Sequence, residues 1–565
     1  MADARFMSAI EILQAAVFFA ALILLSPLLG SYMERAASGR LSWLGPVEPA
    51  IYRLIGADPR RGMTAGSYAI ALCVFNAAGF ALLLAILLLQ GLLPLNPQGF
   101  GGLAFPLACN TAVSFLTNTN WQAYSGEAAM SYFSQMAGLT VQNFLSAATG
   151  WCVLLAMIRG FSRRNTQDLG NFWADLVRGT LYVLLPLSVV LAVLLAGQGV
   201  VQNLSAYQTV TTLEGAPQVI PQGPAASQVA IKQLGTNGGG FFGVNSAHPL
   251  ENPTPFSNFL QLLAILLIPA ALTHAFGKMV GDTRQGWCLF TAMLILLLGG
   301  FALSWWAEAQ PNPITGVPVN MEGKEQRFGV MNSVLWSTAT TAASNGSVNA
   351  MHDSLSPLAG GVAVFNIMLG EIIFGGVGVG LCGMLMYVLL TVFLAGLMVG
   401  RTPEYLGKKI EAAEMRMAII ALLVPSGLLL AGTAAACCLP GPLAGLANNG
   451  PHGFSEILYA FSSAAGNNGS AFAGLVVDTP FFNSALGLSM LVGRFAVILP
   501  ALAIAGSVAA KNITPASAGT FPTQGPVFIA LLLGIILIVG ALTHLPALAL
   551  GPLVEHVLML QGRTF

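Results

Sequence analysis

Ten long apolar runs recur along this chain of 565 residues, and they constrain its fold more than any other feature. Each run is about 18 residues or longer, which is enough for an α-helix to cross the hydrocarbon of a bilayer. Hydrophobic residues make up 55% of the chain and charged residues only 8%, whereas a soluble domain carries about 25% charged residues. The runs predict an all-α polytopic membrane protein in the lipid bilayer, and they lie at 9–31, 66–93, 128–158, 172–197, 257–277, 286–306, 359–398, 416–437, 483–509 and 526–550.

Four shorter apolar segments lie between these runs, at 106–117, 225–235, 331–343 and 455–465. They are too short to cross a bilayer, so they favour re-entrant helices. Fifteen of the 22 Lys and Arg residues fall in one alternate set of connecting loops, which the positive-inside rule places in the cytoplasm. The sequence therefore predicts that both termini and all four re-entrant segments lie on the extracytoplasmic side. Basic and acidic residues balance at 22 each, so no net charge favours a nucleic-acid partner.

The run at 359–398 is too long for one ordinary span. Forty residues of helix would extend about 60 Å, about twice the hydrocarbon thickness. Two spans here would reverse the orientation of every later loop, so we expect one crossing that is broken at the glycine-rich stretch 375–380. Non-helical backbone at that depth is tolerated where it is buried in protein or lines a water-filled cavity.

A short polar string follows each re-entrant segment. We name them string 1 (116–121, LTNTNW), string 2 (235–241, GTNGGGF), string 3 (343–348, ASNGSV) and string 4 (467–472, NNGSAF). Alignment on the asparagines Asn118, Asn237, Asn345 and Asn468 gives spacings of 119, 108 and 123 residues. The unit of span, re-entrant helix, string and span is thus used four times, with one extra helix at each end.

Four such units around an axis would bring the four strings together. Glycine permits unusual backbone angles, and rings of backbone carbonyls replace the hydration shell of a monovalent cation. The C-terminal ends of the re-entrant helices carry partial negative charge, which also favours a cation. The alternative for each string alone is an ordinary Asn-Gly turn. The candidate cation-binding residues are Thr117, Asn118, Thr119, Thr236, Asn237, Gly238, Gly239, Ser344, Asn345, Gly346, Ser347, Asn467, Asn468 and Gly469.

This alignment places Thr119 where the other three strings have glycine. A side chain in one quarter of the ring would narrow it or contribute a hydroxyl. Selectivity for K⁺ over Na⁺ therefore does not follow from the residues by themselves.

The strings TNTNWQ, TNGGGFFG, SNGSVN and AGNNGSAF, together with the ten-span layout, resemble the KdpA family, the K⁺-binding subunits of bacterial Kdp ATPases. The resemblance covers essentially the whole chain, and the Trk, Ktr and HKT transporters are its wider relatives. It implies that the strings form a K⁺ selectivity filter. It also implies that the broken span, at Gly375, Gly376, Gly378 and Gly380, is a gate beneath that filter.

The resemblance further implies the partners. The ion would pass through an intramembrane tunnel to a P-type ATPase subunit (KdpB-like), with two accessory subunits (KdpC-like and the small KdpF-like), in the bacterial inner membrane. No P-loop and no DKTG phosphorylation motif occurs in the sequence, so we expect no nucleotide binding and no enzymatic activity from this chain alone. The alternative is a stand-alone K⁺ channel or symporter of the Trk, Ktr or HKT type.

Two charged residues within the spans, Glu371 and Arg494, are candidates for the vestibule or tunnel. A charge inside a span is costly unless it is paired or faces water. Arg494 would repel cations from a direct cytoplasmic exit, and the alternative is a structural salt bridge between repeats three and four. A third such charge, Arg178, has Asp175 three residues earlier, which predicts a pair along one helix face or a side chain that reaches towards the interface.

Three carboxylates follow the strings, Glu127, Glu251 and Asp353. They would add negative potential at the outer mouth, or they are solvated loop residues. The expected division of the chain is an N-terminal helix with its loop (1–62), repeat 1 (63–160), repeat 2 (161–280), repeat 3 with the broken span (281–400), repeat 4 (401–510) and a C-terminal helix (511–565).

Overall fold

The computed structural model describes residues 8–398, 400–515 and 520–564. In these ranges 10 helices are long and apolar enough to cross a membrane, which confirms the predicted all-α polytopic fold. The two chain ends, for which an extracytoplasmic position was predicted, lie outside the described residues. The ten helices are Ala9–Ala37, Ala65–Leu92, Ser134–Ser162, Phe172–Gly197, Pro255–Met279, Thr283–Glu308, Val379–Met398, Ala412–Cys437, Pro480–Ala509 and Pro526–Leu560.

Four shorter helices, here called pore helices 1 to 4, each lie between two spans. Each ends where a polar string begins or just before it, so that the C-terminal end of the helix adjoins the string. Pore helix 4 is the longest, with 17 residues, and it extends the predicted segment towards the N-terminus. The four are Phe105–Leu116, Ala225–Leu234, Gly329–Ala342 and Gly450–Gly466.

Burial separates the spans into an inner and an outer set. The second spans of repeats 1 and 2, Ser134–Ser162 and Pro255–Met279, are each 83% buried over their most apolar window. The first spans of repeats 1 and 4, Ala65–Leu92 and Ala412–Cys437, are only 22% buried. Apolar side chains that face outward need no protein partner in lipid, so the second spans surround the axis and the first spans face the bilayer.

The two terminal helices pack against the outside of the fourfold unit. A Cβ built on Gly30 of the N-terminal helix would lie 2.5 Å from the carbonyl oxygen of Ala271, which shows a close helix crossing of the kind that small residues permit. In the C-terminal helix, a Cβ on Gly540 would lie 2.4 Å from Leu369 of repeat 3. The extra helices are therefore attached to repeats 2 and 3.

The long run of repeat 3 is broken, as the sequence predicts, but the break begins earlier. The first helix of this span is Pro357–Met368, and the second is Val379–Met398. The break therefore covers 369–378, and Gly380 belongs to the resumed helix. Backbone angles in the left-handed region occur at Glu371 (φ 54°) and Phe374 (φ 49°) as well as at glycine, so the break is not confined to the glycine-rich stretch.

The helices begin at ordinary sequence signals. The hydroxyl of Thr64 accepts a hydrogen bond from the backbone N–H of Ser67, and Thr254 caps the second span of repeat 2 in the same way. In the described residues the connecting loops also carry a helix, two single-turn α-helices, two 3-10 turns and two short antiparallel hairpins. These are Val47–Ile55, Gly126–Ala129 and Pro440–Leu443, Asn245–Ala247 and His352–Ser354, Gln208–Thr211 with Pro217–Ile220, and Glu404–Tyr405 with Lys408–Lys409.

Candidate ion-binding site

The four strings meet in one buried ring, joined by hydrogen bonds between repeats. The Nδ2 of Asn118 in string 1 donates to the backbone oxygen of Thr236 in string 2, at 2.9 Å. The Oγ of Ser344 in string 3 donates to the backbone oxygen of Asn467 in string 4, at 3.0 Å. The Nδ2 of Asn467 donates to the Oγ1 of Thr119, at 3.0 Å, which returns to string 1.

The remaining junction, between repeats 2 and 3, uses the end of pore helix 2. The Nδ2 of Asn345 in string 3 donates to the backbone oxygen of Lys232, at 3.2 Å. The same oxygen accepts the backbone N–H of Asn237, at 2.8 Å, and of Gly238, at 3.0 Å. One carbonyl thus holds strings 2 and 3 together, and the ring is closed.

The backbone shows that string 1 is shifted by one residue relative to the sequence alignment. In every string a residue with left-handed angles precedes one whose N–H bonds the carbonyl five residues earlier. The left-handed residues are Asn118 (φ 66°), Thr236 (φ 53°), Ser344 (φ 57°) and Asn467 (φ 60°). The residues that follow them donate the N–H, and they are Thr119, Asn237, Asn345 and Asn468. Their acceptors are the backbone oxygens of Ser114, Lys232, Thr340 and Ser463, at 2.9, 2.8, 3.2 and 2.8 Å, respectively.

The expectation that Thr119 stands where the other three strings have glycine was therefore wrong. Thr119 occupies the asparagine position, and Asn120 occupies the position of Gly238, Gly346 and Gly469. Asn120 has φ 51°, beside 79°, 85° and 99° at those glycines. Asparagine is one of the few residues that tolerates this region. The Nδ2 of Asn120 donates to the Oδ1 of Asn143 at 2.8 Å, which anchors it to the second span of repeat 1.

The three glycines are required because a carbonyl of the next string lies against each one. A Cβ on Gly238 would lie 1.6 Å from the oxygen of Asn345, and one on Gly346 would lie 2.1 Å from the oxygen of Asn468. A Cβ on Gly469 would lie 2.0 Å from the oxygen of Thr119. These repeated contacts place three equivalent backbone oxygens around the ring. They also agree with the corrected register, since Thr119 takes the place of the asparagines.

The other candidate residues stabilise the ring through hydrogen bonds and close packing. The hydroxyls of Thr117 and Thr119 lie 2.7 Å apart, and the Oγ of Ser347 donates to the Oε1 of Gln233 at 3.0 Å. A Cβ on Gly239 would lie 2.9 Å from the Cβ of Asn120. The fourteen predicted residues are therefore brought together at one place in the fold.

A buried ion pair behind string 2 was not anticipated from the sequence. The Nζ of Lys232 and the Oε2 of Glu251 lie 2.5 Å apart, and neither side chain is exposed. The Oε1 of Glu251 accepts the backbone N–H of Phe242 at 2.8 Å. The pair thus ties pore helix 2 to the segment that follows string 2. Lysine is rarely fully buried without a partner. The presence of Lys232 in the apolar segment 225–235 was therefore the sequence feature that could have predicted a buried carboxylate partner.

The other two outer carboxylates are also bonded. The Oε2 of Glu127 accepts the N–H of Gly243 at 2.7 Å, and the Oδ1 of Asp353 lies 3.1 Å from the Nε2 of His452. The interpretation of all three as solvated loop residues was wrong for Glu251, which is fully buried.

The break in repeat 3 lies directly beneath the ring. The N–H of Val377 donates to the Oγ1 of Thr236 at 2.9 Å. A Cβ on Gly378 would lie 2.1 Å from the backbone oxygen of Gly150 in repeat 1, and one on Gly376 would lie 3.5 Å from both Ser344 and Thr236. The broken backbone therefore crosses from repeat 3 to the inner helix of repeat 1. Gly375 is in the same stretch, where a Cβ would collide with the oxygen of Glu371.

Glu371 and Arg494 line one cavity below the ring. The cavity is bordered above by Ser344, Gly466 and Asn467. On one side it is bordered by Pro425 and Ser426 of the first span of repeat 4. Both charged side chains are nearly completely buried. Among the described residues no carboxylate lies within 4.0 Å of the Arg494 guanidinium, so the alternative of a direct salt bridge is wrong.

This fold and site define a class of membrane protein in which four units of span, pore helix, string and span meet in one buried ring. The potassium transporter TrkH from Vibrio parahaemolyticus has the same fold, with a TM-score of 0.51 at 14% sequence identity. The alignment covers 87% of this chain and 96% of that one.

Within this class, the chain belongs to the KdpA family, described as potassium-transporting ATPase A subunit, which matches residues 16–557. The family predicted from the strings is thus confirmed. A relative in Rhodospirillum centenum is 59% identical over 99% of both chains. Another in Pseudomonas aeruginosa is 59% identical over 97% of this chain and 99% of its own length. Both are named potassium-transporting ATPase potassium-binding subunit.

Proposed function

We propose that this chain is the K⁺-binding subunit of an ATP-driven K⁺ uptake complex in the bacterial inner membrane. The observation that carries the proposal is the closed ring, in which three glycines each pack against a backbone carbonyl of the next string. The names of its relatives, which state potassium binding and a potassium-transporting ATPase, support the ion and the kind of complex.

In this proposal the strings form a selectivity filter for extracellular K⁺. Backbone oxygens at the level of Thr119, Asn237, Asn345 and Asn468 replace water around the ion, which costs little because they are held in place before it arrives. The strings contain no carboxylate, which suits a site that must also release its ion. The C-terminal ends of the pore helices add favourable potential.

The ion then leaves the filter sideways. The broken span, with Gly375, Gly376, Gly378 and Gly380, acts as a gate that closes the straight path. The contacts of Val377 with Thr236 and of Gly378 with Gly150 support this role. Arg494 repels cations from the cytoplasmic exit. Glu371 lines the vestibule, which extends towards Pro425 and Ser426 on the outside of repeat 4.

The receiving partner is a P-type ATPase subunit (KdpB-like), and KdpC-like and KdpF-like subunits complete the assembly. ATP hydrolysis belongs to that partner, so this chain is a non-hydrolytic subunit that binds K⁺ and no nucleotide. Both termini are extracytoplasmic in this proposal. The ten candidate spans of the described residues support one side for both ends, and the basic residues of the alternate loops support the outer side.

The fold shared with TrkH favours a second candidate, a stand-alone K⁺ channel or symporter. Uptake of Rb⁺ by a bacterium that lacks its own K⁺ uptake systems distinguishes the two. We expect uptake only when this chain is produced together with the ATPase and accessory subunits, and no uptake from this chain alone. Rapid uptake by this chain alone, independent of ATP, would establish the second candidate instead.

A further inference from the structure

A cluster of possible metal ligands lies on the predicted outer side, apart from the ring. Asp353 follows string 3, and His452 and Glu456 lie four residues apart in the first turns of pore helix 4, which places them on one helix face. One ligand atom from each of the three side chains lies within 4.8 Å of the other two. Two different repeats therefore contribute to one compact group of imidazole and carboxylate atoms.

Each side chain is held in place by a second contact. The Nδ1 of His452 lies 2.8 Å from the Oε1 of Glu555 in the C-terminal helix, while its Nε2 lies 3.1 Å from Asp353. The Oδ2 of Asp353 accepts the N–H of Gly474 at 3.1 Å. A carboxylate on the far nitrogen of a histidine is the usual way in which proteins orient a metal-binding imidazole.

Glu456 is the most informative member of the cluster. It is fully buried, and among the described residues its carboxylate accepts hydrogen bonds from two neutral groups, the side chain of Asn448 at 2.8 Å and the N–H of Ala447 at 3.2 Å. Among the described residues no lysine or arginine forms an ion pair with it. A buried carboxylate without a cationic partner is costly, and a bound cation would remove that cost.

The charge of the whole cluster is also unbalanced. Three carboxylates, Asp353, Glu456 and Glu555, surround a single imidazole. Asp353, His452 and Glu555 line a cavity of the same face, which gives an ion a route to the site.

We infer that Asp353, His452 and Glu456 bind a divalent cation of the zinc class, with Glu555 orienting the histidine from behind. One imidazole and two carboxylates suit Zn²⁺, whereas Ca²⁺ prefers oxygen ligands alone. The 3.1 Å between Nε2 and Oδ1 is close to the separation of about 3.4 Å between two ligands of a tetrahedral Zn²⁺. The histidine proton is released when the metal binds. The bound ion would join repeats 3 and 4 beside string 4, where Phe472 stacks on His452 with ring centroids 5.8 Å apart.

The test is equilibrium binding of Zn²⁺ to the purified full-length protein after removal of metals with a chelator. We expect about one Zn²⁺ per chain at this site and an affinity at least about tenfold lower in His452→Gln and in Glu456→Gln. Zn²⁺ should also raise the melting temperature of the wild type but not of these variants, and Ca²⁺ should not compete.

The matched control is His556→Gln, which removes a histidine from the C-terminal helix next to Glu555 without removing one of the three ligands. It should bind Zn²⁺ like the wild type. If Zn²⁺ binding and the thermal shift were the same in the wild type, His452→Gln and Glu456→Gln, the inference would be wrong. The cluster would then be a set of structural hydrogen bonds between repeats 3 and 4 and the C-terminal helix. The two separate variants guard against the failure of one of them to fold.

Discussion

The ring and the region beneath it follow opposite rules. In the ring the four repeats share one backbone pattern. Every string has a residue with left-handed angles at the same position, followed by the same N–H to carbonyl hydrogen bond. Beneath the ring the second span of repeat 4 continues unbroken from Pro480 to Ala509, whereas that of repeat 3 stops at Met368 and resumes at Val379. Regularity is retained where an ion would be selected, and it is lost where the ion would have to turn.

The physical reason lies in what each region must provide. A site that coordinates one ion from all sides needs equivalent oxygens, so it constrains all four repeats equally. A sideways exit needs one side that differs from the others. In the proposed function, that difference comes from the broken backbone, Glu371 and Arg494, which forms no ion pair with any described residue; all of them line the cavity at the junction of repeats 3 and 4. The predictions below separate the two regions by experiment.

The largest effect is expected from Gly346→Ala in the ring. The new Cβ would meet the oxygen of Asn468 at 2.1 Å, on a backbone with φ 85°. We expect the apparent KM for K⁺ in Rb⁺-traced uptake to rise about 100-fold, equivalent to about 2.7 kcal/mol.

Gly534→Ala is the control for that variant. Gly534 lies in the C-terminal helix with no atom within 4 Å of an added Cβ, and it should leave the KM unchanged. Equal KM values for Gly346→Ala and Gly534→Ala would show that the ring does not bind the ion.

A smaller effect, about tenfold in KM, is expected from Glu251→Gln. The change leaves Lys232 charged and buried without its partner, which costs about 3–5 kcal/mol. The backbone oxygen of Lys232 holds strings 2 and 3, so the loss should reach the ion site.

The pair of Lys324 and Glu308 is an internal control, because its side chains are equally buried, with 2.8 Å between charged atoms, while Glu308 accepts hydrogen bonds from Ser356 and Asn320, which are outside the strings. Glu308→Gln should lower the melting temperature by a similar amount and leave the KM within about twofold. If both variants raised the KM alike, the effect would be one of general stability.

Arg494→Gln tests the region beneath the ring. We expect K⁺ binding to stay within about twofold, since Arg494 is not part of the strings, while ATP-coupled uptake falls several-fold because the cation barrier is lost. Arg494→Lys retains the charge and should retain most of the coupling. A lower melting temperature with unchanged uptake would make Arg494 a structural residue only.

The smallest effect is expected from Asn120→Gly, which gives string 1 the residue of the other three. Glycine accepts the left-handed angle at no cost, but the hydrogen bond to Asn143 is lost. We expect less than about a threefold change in KM. A change as large as that of Gly346→Ala would mean that the departure of string 1 from the pattern is itself part of selectivity.

Much of this architecture follows from the sequence. The ten spans, the four pore helices and the broken run at 359–398 could be placed because length and hydrophobicity constrain a chain in lipid strongly. The division into six segments and the roles of the individual site residues remain predictions. The family resemblance supplied K⁺ and the partner subunits, which the residues alone did not specify.

What could not be predicted depends on backbone angles and on distant partners. The register of string 1 was misplaced by one residue because both Asn118 and Asn120 flank Thr119, and only the φ angles distinguish them. The interpretation of Arg178 as an i,i+3 partner of Asp175 was wrong. Arg178 pairs with Glu48 at 2.8 Å, and Asp175 pairs with Arg159 at 2.5 Å, across different helices. A local spacing does not reveal such long-range partners.

Equilibrium K⁺ binding to the purified full-length protein, measured by calorimetry against Na⁺ at matched ionic strength, tests the central claim most directly. We expect saturable K⁺ binding that Na⁺ does not reproduce, lost in Gly346→Ala and in Gly469→Ala and retained in Gly534→Ala and Arg494→Gln. Unchanged K⁺ binding in both ring variants would contradict the assignment of the four strings as the ion-binding site.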